Sequence, residues 1–69
     1  MSLRVQLRNV LNVLAEMERR GELVRKDKLV TELINRRVVA DDEEADNLLT
    51  FLLKDEEIFI PKEGYLKKT

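Results

Sequence analysis

The side chains able to do chemistry in this chain are few. There are 14 Asp/Glu and 13 Lys/Arg, but no His and no Cys. Without an imidazole the usual general acid/base near neutral pH is missing, and without imidazole or thiolate zinc loses its usual ligands. The densest acidic cluster is Asp41, Asp42, Glu43, Glu44 and Asp46. Carboxylates of this kind attract Mg²⁺ or Ca²⁺. The run lacks the spacing of a calcium loop and the Gly that makes its sharp turn, so a capped, solvated helix start is the favoured reading. Gly21 and Gly64 are the only glycines, so there is no Gly-x-x-x-x-Gly-Lys-Ser/Thr phosphate cradle. The expectation is a non-enzymatic chain with no metal and no cofactor.

What remains is recognition by charge. Residues 1–40 carry nine Lys/Arg and five Asp/Glu, a net +4. Residues 41–57 carry one Lys and eight Asp/Glu, a net −7, and residues 58–69 return to +2. A division this sharp predicts separate surface patches rather than one uniform nucleic-acid-binding face. No apolar run approaches the ~20 residues of a membrane span, so a soluble chain is expected. The start, Met1-Ser2-Leu3-Arg4, lacks the apolar core of a signal peptide. The reading is one domain over residues 1–69, a piece of a longer protein.

Those charges need elements to hold them. Leu3, Leu7, Val10, Leu11, Leu14 and Met17 fall on one helical face, with Val5 and Val13 beside it. Ser2 is the expected N-cap and Gly21 the expected C′ residue. Arg19 and Arg20 are expected in the last turn, where the helix dipole favours cations. Glu22-Leu23-Val24-Arg25 is too short for a helix and reads as a brief strand able to join a C-terminal hairpin. Asp27 is expected to cap a second helix over residues 28–36, with Leu29, Val30, Leu33 and Ile34 inward. Residues 36–40 read as a turn plugged by Val38 or Val39. Asp41 and Glu44 resemble a capping box opening a third helix. Its stripe is Ala45, Leu48, Leu49 and Leu52, widened by Phe51 and Leu53, and it should stop near Lys54 or Asp55.

The end of the chain reads as a hairpin. Ile58–Ile60 and Tyr65–Lys67 flank Pro61-Lys62-Glu63-Gly64, where Pro presets a turn dihedral and Gly accepts a positive one. An isolated hairpin is marginal, so it must pack on the helices. Ile58 and Ile60 should then face inward, with Phe59 outward or against Tyr65 or Leu66. The predicted fold is α+β, a winged helix-turn-helix of three helices with a small antiparallel sheet and a C-terminal β-hairpin wing.

Ile58-Phe59-Ile60-Pro61-Lys62-Glu63-Gly64-Tyr65-Leu66 resembles the C-terminal winged-helix domain of archaeal MCM replicative helicases. That family often ends in an Ile-aromatic-x-Pro-x-x-Gly-Tyr run after its third helix. Here Ile58, Phe59, Pro61, Gly64 and Tyr65 take those places. Glu56 departs from the pattern, because the family commonly has Gly there. The resemblance implies a regulatory and interaction module of a DNA-replication helicase, separate from the ATPase motor. It implies partners among replication-initiation proteins or the helicase's own motor domain, and a cytoplasmic, nucleoid-associated setting.

Two surfaces are candidates for contact. The outward face of the third helix holds Glu43, Asp46, Asn47, Thr50 and Lys54. Asn47, Thr50 and Lys54 suit base edges, but Glu43 and Asp46 would face phosphates and repel them. Major-groove docking by this helix is therefore not expected, and this face is assigned to a protein partner. Lys62, Lys67 and Lys68 on the wing are assigned to weak DNA contact without sequence readout. The alternatives are a stand-alone winged-helix DNA-binding regulator of transcription, or a scaffold module that touches no DNA.

Overall fold

The structure, a computed structural model, describes residues 2–69. Its elements run α1 (Leu3–Glu18), β1 (Val24–Arg25), α2 (Lys26–Asn35), α3 (Asp42–Lys54), β2 (Ile58–Phe59) and β3 (Tyr65–Lys68). The strands form one antiparallel sheet in the order β1-β3-β2. This α+β arrangement of three helices and a three-stranded sheet is compatible with a winged-helix layout.

α1 begins where the Ser2 hydroxyl accepts the Val5 N–H at 3.2 Å, as expected of an N-cap. Val10 and Leu14 on the stripe are buried, and Val13 beside the stripe is buried too. Leu3 and Val5, in the first turn, stay exposed. The helix ends at Glu18, so Arg19 and Arg20 follow the last turn rather than lying in it. Gly21 supplies the positive φ of 83° that reverses the chain.

The short strand forms as predicted and joins the hairpin, with Val24 opposite Leu66 and Arg25 opposite Tyr65. Val24 turns inward, and Leu23 is left 48% exposed. β1 then runs straight into α2, which overturns the expected Asp27 cap. Arg25 holds the cap position without a side-chain bond. Lys26 N–H donates to the Gly64 carbonyl at 2.9 Å, so the wing satisfies a helix-start donor that a side chain would otherwise serve. Asp27 instead sits in the first turn, where its carboxylate accepts Lys28 N–H at 2.8 Å.

α3 opens as expected, with Asp41 Oδ1 accepting Glu44 N–H at 2.9 Å. Glu44 turns back to Ala40 N–H at 2.8 Å, one residue upstream of the position a capping box would use. Gln6 Nε2 donates to Glu44 Oε1 at 3.2 Å and to the Val38 carbonyl at 2.9 Å, tying α1 to this turn. Val38 and Val39 are both buried beneath it.

α2 and α3 end alike. Val38 N–H reaches the Leu33 carbonyl at 2.9 Å, and Glu57 N–H reaches the Leu52 carbonyl at 3.0 Å. Each is a Schellman closure that needs a left-handed residue at C′. Arg37 at φ 60° and Glu56 at φ 59° fill those places. A side chain is strained there, and glycine removes the strain at some cost in unfolded-chain entropy. Arg37→Gly and Glu56→Gly are each expected to stabilise the domain by about 0.5–1 kcal/mol. Urea midpoints that fall in both variants would contradict this.

In the hairpin Ile58 faces Lys68 and Phe59 faces Lys67. Ile58 is buried as predicted, but Ile60 is not. The strand ends at Phe59, and Ile60 is 56% exposed in the wing loop. Pro61 has no N–H with which to extend the ladder. Phe59 is 41% exposed and stands opposite Lys67 in the register. The core draws Leu14, Leu29, Leu33, Leu49, Leu52 and Ile58, from all three helices and β2, to near-complete burial. Among the described residues no helix is long and apolar enough to cross a membrane.

Candidate nucleic-acid and partner surfaces

Strand alternation divides the wing lysines. Leu66 and Val24 face the core, so Tyr65 and Lys67 project from the opposite face of β3, with Arg25 and Phe59 opposite them. Lys68 lies on the core side of the strand, across from Ile58, and its N–H donates to Glu18 Oε2 at 2.9 Å. Lys62, in the wing loop, places its Nζ 5.4 Å from the centre of the Tyr65 ring. Lys62 and Lys67 therefore share the outer face with Tyr65 and Arg25, and Lys68 does not belong to that patch.

Beside this face runs a groove of about 460 Å³. Met17 from the last turn of α1 and Arg20 just after it bound the groove, with Leu23 before β1, Arg25 on β1, Lys28 from α2, and Lys62 and Tyr65 from the wing. Glu22 is the one carboxylate in its lining. Arg25 is partly engaged by Asp27 at 3.4 Å. Among the described residues Arg20, Lys28 and Lys62 form no ion pair. Cations outside an ion pair are open to an anion without first breaking a salt bridge.

The surroundings of α3 have the opposite character. Glu43, Asp46, Asn47, Thr50 and Lys54 are all exposed, so the outward face is assembled as the wheel predicts. Lys26 Nζ pairs with Asp46 at 3.0 Å. A second groove, of about 440 Å³, is lined by Asp27, Asp42 and Asp46 together with Arg25, Lys26 and Gly64. Its mixed charge offers a phosphate little net attraction. Among the described residues no group of three or more His, Cys, Asp or Glu is placed to hold a metal.

Arg36 joins α1 to α2. Its Nη1 and Nη2 contact the two Glu16 carboxylate oxygens at 2.8 and 3.1 Å, and its Nε donates to Glu32 at 2.8 Å. Bidentate pairing of this kind is the stronger geometry. The hydrogen bond from Arg36, followed by its charge, holds the Glu16 carboxyl below the usual carboxylate range. The same bonds, to Glu16 first and then Glu32, raise the Arg36 guanidinium further above its ordinary value. A carboxyl lowered on folding contributes stability above its unfolded value and loses it as pH falls through the folded one. Glu16→Gln is therefore expected to be less stable than the parent at neutral pH, and the gap should close in acid. Acid titrations that keep a constant gap would contradict the linkage. The pair is solvent-exposed, so added salt should shrink the effect.

Two features escaped the sequence reading. One is the joining of Arg20 and Lys28 to the wing. Its sequence signals were the excess of cations over residues 1–40 and the basic group Arg25, Lys26 and Lys28 that precedes or opens α2. The other is an open surface depression of about 580 Å³ lined by Leu53, Ile58, Phe59 and Ile60 together with Glu56 and Thr69. Its sequence signal was the apolar run Ile58-Phe59-Ile60 following Leu53 at the end of α3. Comparison with protein-family models, with curated proteins and with solved structures returned no match.

Proposed function

We propose that this chain is a winged-helix interaction module, of the kind its resemblance to archaeal MCM helicases implies. It contacts nucleic-acid backbone through the wing side and presents the α3 side to a protein partner. It performs no catalysis of its own. The observation that carries this reading is the separation of charge. Arg20, Arg25, Lys28 and Lys62 line one groove beside Tyr65, whereas Asp42 and Asp46 stand at the start of α3.

In this reading α3 does not enter the major groove, because Glu43 and Asp46 lie on the face that would meet phosphates. Lys62 and Lys67 hold the backbone from the outer sheet face, and Arg25 supports them. Lys68 contributes little, since strand alternation puts its side chain on the other face of β3, the side of Ile58. The expected partners are replication-initiation proteins or the motor domain of the parent helicase. They would meet Glu43, Asp46, Asn47, Thr50 and Lys54.

The test is fluorescence anisotropy with a labelled duplex across a salt series. Binding through about three phosphates gives a slope of about −2.7 in log K against log salt. A slope near zero, or no binding of either the duplex or a single strand at low salt, would remove nucleic acid from the function and leave a protein-binding scaffold.

A further inference from the structure

We infer that the groove between the end of α1, β1, the start of α2 and the wing is a binding site for single-stranded nucleic acid, with one base stacked on Tyr65. This rests on the reading of the wing side as the nucleic-acid face. Two requirements of such a site meet there. The phosphodiester chain needs cations, and Lys28 and Lys62 stand in the lining outside any ion pair, with Arg20, whose charge also acts on Glu16, beside them. An unpaired base needs a flat apolar surface, and the half-buried Tyr65 ring offers one, with Met17 and the exposed Leu23 along the same groove. The groove's volume of about 460 Å³ falls within the size range of small-ligand sites.

Lys62 now sits over the Tyr65 ring at 5.4 Å. An exposed cation–π contact is weak, so this flexible side chain can leave the ring for a phosphate when a base arrives. A duplex keeps its bases stacked on one another and can offer this groove only its backbone. An acidic peptide would engage the cations but has no flat ring for Tyr65. The combination of cations with an aromatic surface is the one that sequence-tolerant single-strand binding uses.

The chain has one Tyr and no Trp, so its intrinsic fluorescence reports Tyr65 alone. Titration with an oligothymidine of roughly 10 nucleotides, corrected for absorbance, is expected to quench that signal as it binds. The matched duplex should leave the signal nearly unchanged. In anisotropy with the labelled oligonucleotide, Tyr65→Ala should weaken binding about tenfold, and Tyr65→Phe should hold it within about twofold. Because Tyr65 pairs with Arg25 in the sheet, Tyr65→Phe with Lys28→Ala provides a second, fold-preserving arm. It should lower the salt slope by about 0.7 while keeping the ring contact.

Single-strand binding that leaves Tyr65 fluorescence unchanged overturns the inference, even if duplex binding and the proposed function stand. Displacement by polyglutamate as effective as by unlabelled oligothymidine also overturns it, in favour of an acidic peptide. Failure of both duplex and single strand to bind at low salt removes the inference together with the reading beneath it.

Discussion

Lys62→Glu combined with Lys67→Glu is expected to weaken duplex binding by on the order of a thousandfold at low salt, whereas Lys68→Glu alone should leave most of it. Two unit charges about 4 Å apart in water interact by about 1 kcal/mol. Reversal turns each attraction into a repulsion of similar size, so two reversals amount to about 4 kcal/mol. The salt slope should fall by about 2 as two phosphate contacts disappear. Both lysines lie on the outer side of the wing with Tyr65 and Arg25, and both are exposed, so the change should not disturb the core. Lys68 sits across from the buried Ile58 on the other face, which is why it serves as the internal control. Equal losses from Lys67→Glu and Lys68→Glu, measured one at a time, would mean that strand alternation does not set the contact.

Leu33→Ala is expected to remove most of the domain's stability. Leu33 has no solvent exposure and lies in the core cluster with residues of α1, α3 and the sheet. Its carbonyl also accepts the Val38 N–H that closes α2. Truncation of a buried leucine costs about 2–5 kcal/mol, from lost transfer energy and the cavity left behind. A domain of this length has about 3–10 kcal/mol in total. There is no disulfide to limit the unfolded chain. Circular dichroism should therefore show a variant largely unfolded at 37 °C, or one whose urea midpoint has dropped steeply. A midpoint close to the parent's would mean that the three helices do not share this core. Glu56→Gly in the same background should recover part of the loss, because its effect is local to the end of α3.

The helices were legible because their apolar stripes are long enough to repeat. The start of α3 was legible because Asp41 precedes its helix by the spacing a cap requires. Val24 was recognisable as a strand residue from its confinement between Gly21 and the next helix. The direct passage of β1 into α2 was not legible. There a contact distant in sequence, Lys26 to Gly64, replaces the side-chain cap that local reading assigns to Asp27. Ile60 misled because its residue type suits a strand, while the following Pro61 ends the ladder before it. The separation of Lys67 from Lys68 follows from strand alternation and was within reach of the sequence. The groove was not, since Arg20, Lys28 and Lys62 come together only when α1, α2 and the wing pack. Charge over a segment indicates that a patch exists, and packing decides which of its members meet.

Everything proposed for this domain depends on which of its faces meets nucleic acid. The measurement is an amide chemical-shift titration of the ¹⁵N-labelled protein with a short duplex. The expected result is shifts centred on Arg25, Lys28, Lys62, Tyr65 and Lys67, with the amides of Glu43, Asp46, Asn47 and Thr50 unmoved. Shifts led by Asn47, Thr50 and Lys54, with the wing quiet, would place α3 in the groove of the DNA and contradict it.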